Sequence, residues 1–393
     1  MKLAILTCGM LPIPAVLGGA VENLIDFYLE YNDKYHLHDI TVYSPWNPKV
    51  SNHPALSSHS NHYIYIDVTS IRARIERRLF KYARYSPTDY FNYFIEYYFE
   101  KAYSDLKKKK YDYIILENSG GHAYKLSRRG YRNIVIHMNN EVRPSRIPYH
   151  QAFQDKISLI LTCSDFVRKS ISSFMPNCKT QTLYNAIDTT NFFPRKRLIL
   201  KREDIGLKQN DFVIVYSGRI NKKKGVSELI DAILSLKEII NIKLMIIGGS
   251  FYGNAVNEDD FVKSLKSKAQ AIEDKIIFTG FVPYENVPNY LQLADIAVLP
   301  SMWNEPFGLT IVEAMAAGLP LITTRSGGIP EICEDVAIIV EREHVINHLA
   351  AAIKDLYDHA EKRTSMSTAS IERAKFFDKE AYAKKFFAAL EQI

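Results

Sequence analysis

DFVIVYSGRINKKKGVSELIDAILSLKEIINIKLMIIGG, residues 211–249, reads as a strand, a helix and a second strand. The runs DFVIVYSG (211–218) and IKLMIIGG (242–249) are short, continuous and rich in β-branched residues. Between them VSELIDAILSLKEI repeats its apolar residues at helical spacing. Strands buried on both faces and joined by an amphipathic helix form a parallel βαβ unit. The rhythm recurs at KLAIL (2–6), DITVY (39–43), DYIIL (112–116), NIVIH (133–137), SLILTCS (158–164), KIIFTG (275–280), DIAVLPS (295–301) and LPLITT (319–324). Right-handed crossovers then predict an α/β, doubly wound architecture.

A chain of 393 residues exceeds the ~250 residues at which single cores stop growing, so two domains are expected. The charged, Pro-bearing stretch NFFPRKRLILKREDIGLKQND (191–211) has no strand-helix pattern of its own and reads as the linker. Expected domains are therefore 1–190 and 191–370, followed by a helix over about 371–393 with Phe376, Tyr382, Phe386, Ala389 and Leu390 at near-helical spacing.

With 47% hydrophobic and 24% charged residues the composition is that of a globular protein, and the formal charge of +6 is modest. The four scattered cysteines show neither a disulfide framework nor zinc spacing, which fits a reducing cytoplasm. The opening LAILTCGML reads better as a first strand than as a signal peptide. No stretch approaches the ~20 apolar residues that cross a bilayer, so membrane contact is expected only peripherally. The segment 71–84 suggests where: Ile71, Ile75, Leu79 and Tyr82 share one helical face beside Arg74, Arg77, Lys81 and Arg84, ahead of an aromatic stretch over 87–104. Such a helix docks on an anionic bilayer or covers the N-terminal core.

Ligands of open parallel sheets bind beyond the carboxyl ends of the strands. After DIAVLPS comes Met302-Trp303-Asn304-Glu305-Pro306-Phe307-Gly308-Leu309-Thr310, running into a helix that Gly318 and Pro320 end. A helix starting near Gly308 offers free N–H groups to an anion or to sugar hydroxyls. Glu305 outside that helix and Glu313 inside it can grip two parts of one elongated ligand; the alternative is an exposed loop glutamate and a surface one. After Ser217-Gly218 come Arg219 and Lys222-Lys223-Lys224-Gly225, which either neutralise a diphosphate or form a solvated basic turn. Gly18-Gly19 opens the first helix without forming G-x-G-x-x-G. His137 ends a strand, placed to meet a sugar hydroxyl or to be satisfied in the core. Ser326-Gly327-Gly328-Ile329-Pro330-Glu331 and Gly280-Phe281-Val282-Pro283 read as ligand walls or as ordinary turns. No D-x-D, H-E-x-x-H, P-loop or G-x-S-x-G occurs, so positive charge for a diphosphate is expected from protein groups rather than a metal.

At these residues the chain resembles glycosyltransferase family 4, retaining enzymes of the GT-B fold, over nearly its full length. The most specific element is E-x7-E, Glu305 to Glu313 within EPFGLTIVEAMAAGLP, supported by SGR…KG (217–225), SGGIPEI (326–332), NAID…F.P (185–194) and Gly18-Gly19. The resemblance implies two Rossmann-like domains facing a central cleft, with the acceptor bound by the first and the donor by the second. It also implies that Arg219 and Lys224 hold the diphosphate, Glu313 the ribose and Glu305 the transferred sugar. The backbone of Phe307, Gly308 and Leu309 would meet sugar and phosphate, with Ser217, Gly218, Val282 and Thr310 lining the donor site. His137 would contact the sugar and Gly19 the phosphate, and the final helix would cross back to the first domain. Asn139 and Asn140 depart from many relatives and leave the acceptor side less defined.

The expected activity is transfer of a hexosyl unit from a nucleotide-diphosphate sugar, with UDP favoured, to a glycan or lipid-linked acceptor in surface polysaccharide or glycolipid synthesis. Retention, no metal or other cofactor, no nucleic-acid partner and a place at the inner face of the plasma membrane complete the expectation. A GT-B epimerase or hydrolase and a non-catalytic nucleotide-sugar-binding subunit are the alternatives.

Overall fold

The computed structural model describes residues 1–86, 90–141, 144, 147, 149–194, 199–249 and 259–393. The start of the expected aromatic stretch (87–89) and part of the expected linker (195–198) lie outside the described residues. Two compact units emerge: Met1–Asn185 with Lys379–Ile393, and Ala186–Asp378.

The first unit holds β1 (Lys2–Leu6), α1 (Ala20–Tyr35), β2 (Asp39–Pro45), β3 (Asn61–Ile66), α2 (Ile71–Ala83), α3 (Tyr93–Leu106), β4 (Tyr113–Glu117), α4 (Gly120–Arg128), β5 (Ile134–Met138), β6 (Ile157–Thr162), α5 (Asp165–Phe174) and β7 (Thr180–Thr182). Its strands form one sheet in the order β3-β2-β1-β4-β5-β6-β7, and every pairing is parallel.

After α6 (Thr189–Phe192), the second unit runs β8 (Phe212–Ser217), α7 (Val226–Ser235), β9 (Ile242–Ile247), α8 (Asp260–Ala269), β10 (Ile276–Gly280), α9 (Val287–Leu291), β11 (Ile296–Leu299), α10 (Leu309–Ala316), β12 (Leu321–Thr324), α11 (Ile329–Cys333), β13 (Ile338–Val340), α12 (Val345–Asp358) and α13 (Ala360–Ala374). This sheet is also wholly parallel, in the order β10-β9-β8-β11-β12-β13. Central strands such as β8 and β11 are buried at every position, because helices cover both faces of a doubly wound sheet.

Three strands fall outside the apolar runs of the sequence. β3, β7 and β13 are three of the four edge strands and only partly buried; the fourth, β10, is also part-exposed but keeps an apolar run. An edge strand needs no continuous apolar run, so Thr180–Thr182 carries no signal.

The carboxyl-terminal segment also differs from the single helix expected over 371–393. α13 ends at Ala374, a 3-10 turn follows, and Asp378 is extended before α14 (Lys379–Glu391) begins. Asp378 is held in the second unit: its carboxylate accepts from Thr189 Oγ1 at 2.6 Å, and the adjacent Phe377 carbonyl accepts from the N–H of Ile187 at 3.1 Å. The two passages of chain thus leave that unit side by side. α14 belongs to the first unit, where it packs on α1: the rings of Tyr28 and Phe386 stack with centroids 4.1 Å apart and planes 4° from parallel.

On α2, Ala73 and Phe80 are buried, whereas Ile71, Ile75, Leu79 and Tyr82 are all more than half exposed. The apolar stripe of this helix faces solvent and does not cover the core. Among the described residues no helix is long and apolar enough to cross a membrane.

Truncating a fully buried phenylalanine typically costs about 3–5 kcal/mol. We expect Phe386→Ala to destabilise the first unit by that amount. The two tryptophans, Trp46 and Trp303, fall one in each unit, so urea denaturation of a Trp303→Phe background reports the first unit alone. An unchanged midpoint would show that α14 contributes nothing to it.

Candidate functional site

In the second sheet, successive connections run to opposite sides of β8, toward β9 and toward β11. Their adjacent carboxyl ends therefore form a topological switch point, where doubly wound sheets bind ligands. Ser217 ends β8, followed by Gly218 and the exposed Arg219; Lys224 stands in the next turn. Beyond β11 the chain passes Ser301 and Glu305 before entering α10 at Gly308.

Two backbone contacts force these loops together. A methyl group on Gly225 would lie 1.8 Å from the Pro300 carbonyl oxygen, and one on Gly327 would lie 2.2 Å from that of Glu305. Both glycines also have positive φ, +70° and +57°. Side chains are excluded at both places, so the loops after β8 and β12 close directly on the one after β11. Hydrogen bonds fasten the contacts: Met302 N–H donates to the Lys223 carbonyl at 2.8 Å, and Gly328 N–H to that of Glu305 at 2.8 Å. Thr324 and Ser326 hydroxyls both donate to the Ser301 carbonyl, at 2.5 and 2.7 Å. The Ser326-Gly327-Gly328 wall is thus a brace for Glu305.

The result is a buried ion pair. Lys224 Nζ donates to Glu305 Oε1 at 2.5 Å, and Ser301 Oγ donates to the same oxygen at 2.8 Å. Among the described residues no hydrogen bond reaches Oε2, and the ammonium retains further donors for an anion. The expectation treated Lys224 and Glu305 as separate contacts; here each fixes the other. Next to them, Gly308 caps α10 in the left-handed region without a side-chain bond; the Ile311 N–H donates to the Gly308 carbonyl at 3.0 Å, and those of Leu309 and Thr310 have no side-chain cap. Gly308, Leu309 and Thr310 are partly exposed, while the Phe307 ring is buried edge-on against Phe377, 5.7 Å between centroids. Phe307 offers only backbone outward.

Glu313 is not a surface glutamate. It is buried, with Tyr284 hydrogen-bonded to its carboxyl, and burial pushes its pKa up to about 7. Tyr284 follows Val282 in the loop after β10, so this bond brings that loop to α10. Sequence reasoning missed Tyr284, Ser301 and Trp303. The Trp303 ring lies beneath Lys223 and Lys224, at 5.1 and 5.9 Å. None of the three carries a motif; only their position after a strand marks them.

The first unit treats its candidates differently. Gly18 and Gly19 lead into α1, whose N-terminus has no side-chain cap, and the buried Glu22 occupies its first turn. Burial, with Glu117 nearby, holds the Glu22 carboxyl above the usual carboxylate range. His137 is fully buried rather than open at a strand end. Its Nδ1 lies 3.0 Å from Glu117, whose carboxylate also accepts from Tyr28 at 3.0 Å, and its ring packs by Tyr382 and Phe386 of α14. α14 supplies both of these rings, and His137 Nε2 is buried without a hydrogen-bond partner among the described residues.

Because Glu313 has a folded pKa near 7 against 4.5 in the open chain, the folded protein holds a proton between those pH values that the unfolded chain has released. Its stabilising contribution is full below about 4.5 and lost as pH rises through about 7. We therefore expect Glu313→Gln to gain thermal stability over the parent progressively between these limits. A melting-temperature difference that stays constant with pH would contradict the buried placement.

A family model described as "Glycosyl transferases group 1" matches residues 199–373. The chain is 27% identical over 383 residues to spore coat protein SA of Bacillus subtilis (strain 168), covering 92% of each. It is 25% identical over 308 residues to lipopolysaccharide 1,2-N-acetylglucosaminetransferase of Salmonella typhimurium, covering 75% of this chain and 77% of that one. HepE of Anabaena, solved in complex with UDP and glucose, shares the fold with a TM-score of 0.71 over 100% of both chains at 20% identity. The group 1 match lies over the unit whose strand ends carry Lys224 and Glu305, and with both parallel sheets shared, the chain is a glycosyltransferase of GT-B architecture.

Proposed function

We propose that the chain is a retaining family 4 enzyme that moves a hexosyl unit from a nucleotide-diphosphate sugar to a hydroxyl of a glycan or lipid-linked acceptor, with UDP as the carrier and no metal. The braced Lys224–Glu305 pair beside the uncapped mouth of α10 carries this reading. UDP is supported by the nucleotide in HepE, and a surface-glycan acceptor by the lipopolysaccharide transferase among the relatives.

In such a transfer the bond from the anomeric carbon to the β-phosphate breaks. Positive charge spreads over the ring while negative charge grows on the phosphate. Arg219, Lys224 and the first N–H groups of α10 stabilise that growing charge, and Lys224 acts with little reorganisation because the brace and Glu305 hold it in place. Glu305 Oε2 takes a hydroxyl of the sugar, while Oε1 orients Lys224. Glu313 accepts the ribose hydroxyls. The departing phosphate removes the acceptor proton on the same face, so no carboxylate attacks and configuration is retained. Lys224→Ala and Glu305→Gln should each lower kcat/KM by about 100-fold, with wild-type rates insensitive to EDTA and an α-linked product from an α-linked donor by NMR. Near-wild-type transfer by both variants would end the proposal.

The outward stripe of α2, flanked by arginines and lysine, supports docking on an anionic leaflet at the inner face of the plasma membrane. Ile75→Asp with Leu79→Asp should abolish co-sedimentation with phosphatidylglycerol vesicles while leaving circular dichroism unchanged. Equal sedimentation with neutral and anionic vesicles would overturn it.

A further inference from the structure

A cavity of about 490 Å³ lies at the amino-terminal edge of the first unit, but a larger one of about 610 Å³ has the more distinctive lining. It lies in the first unit between the end of α2, α3, α4 and Tyr149, among residues that the transfer mechanism does not use. Three tyrosines line it. Tyr124 stacks on Tyr149 with centroids 5.4 Å apart and planes 24° from parallel, and Tyr90 meets Tyr124 edge-on at 5.7 Å. Tyr149 is more than half exposed, and its φ of +59° is a conformation that a bulky residue adopts at a cost in free energy. An exposed ring held at such a cost suggests a ligand-facing role.

Four cations share the lining, in two classes. Lys125 pairs with Glu96 and Glu100, and Arg129 donates twice to Glu100, at 2.8 and 2.9 Å. These two are neutralised. Arg84 and Arg128 have no carboxylate partner among the described residues, and the Arg128 guanidinium lies 5.8 Å over the Tyr124 ring. The lining thus combines two guanidinium forks that have no carboxylate partner among the described residues with a stacked aromatic wall.

That pairing selects a ligand. A guanidinium matches the oxygens of a phosphate bidentately, as a lysine does not. Aromatic faces take the apolar C–H face of a pyranose, and a volume of this size suits a small polar ligand. The geometry points to a binding site for a phosphorylated saccharide, its phosphate between Arg84 and Arg128 and its ring on Tyr124 and Tyr149. Its role as the acceptor subsite rests on the transferase reading above, whereas the binding itself does not.

Isothermal titration of the full chain, with UDP saturating so that the nucleotide site is filled, tests it. Glucose 6-phosphate should bind with a Kd at least about tenfold below those of glucose and inorganic phosphate, and Arg84→Ala with Arg128→Ala should weaken it about tenfold or more. Tyr149→Ala should weaken glucose 6-phosphate without changing inorganic phosphate, and UDP affinity should be the same in all variants. Vesicles carrying a polyprenyl-phosphate glucose present an anomeric phosphodiester; in the Ile75→Asp, Leu79→Asp background, binding tighter than that of glucose 1-phosphate marks a lipid-linked source, and binding no tighter a soluble one. An unchanged Kd in the double variant, displacement by UDP, or glucose 6-phosphate binding no tighter than inorganic phosphate would each overturn the site. A loss of transfer with this binding intact would instead count against the transferase mechanism.

Discussion

The peptide carbonyls of Pro300 and Glu305 stand where side chains at Gly225 and Gly327 would be, so the loop after β11 is gripped from both sides by bare backbone. Everything at the second switch point depends on that approach. It brings Lys224 within 2.5 Å of Glu305, and it lets Thr324 and Ser326 hold the Ser301 carbonyl while the Ser301 hydroxyl holds Glu305. A charged pair taken out of water is costly unless its remaining valences are met. Here the serine meets one, while Oε2 and part of the ammonium keep open valences among the described residues. Such preorganisation leaves little rearrangement for the reaction itself.

Buried carboxylates recur in both units, and their partners decide what each does. Glu305 has a lysine. Glu313 has only a tyrosine hydroxyl, so desolvation dominates and keeps it near protonation at neutral pH. Glu117 is surrounded by His137 and Tyr28 and ties β4, β5 and α1 together beneath α14. An ion pair, a desolvated pocket with a tyrosine hydroxyl and a histidine–tyrosine cluster thus give three buried carboxylates three different surroundings.

Both sheets were readable because strands buried on two faces are short, dense apolar runs, as β8 and β11 are and as β9 is apart from Lys243. The edge strands β3, β7 and β13 escaped for the converse reason, whereas the edge strand β10 kept the run Ile276-Ile277-Phe278 and was read. Glu305 and Lys224 stood out because each lies between a strand and a helix beside glycines that local rules explain. The burial of His137 was not legible because it is set by α14, more than two hundred residues away in sequence; no local pattern encodes that cover. Tyr284 was hidden for the same reason, its partner Glu313 lying on another element. Local chemistry marked the residues of the loop but not the brace between them, and long-range packing decided which polar groups remained at the surface.

The division of the chain bears on how it is made. The first unit is discontinuous: its sheet is complete by Thr182, yet Tyr28 and His137 find their cover only in α14, made after the whole of the second unit. On the ribosome the nascent first unit therefore waits with an apolar and partly ionisable face open, while the contiguous second unit can fold as it emerges. Vectorial synthesis thus reverses the order of completion, and the domain begun first is the one finished last.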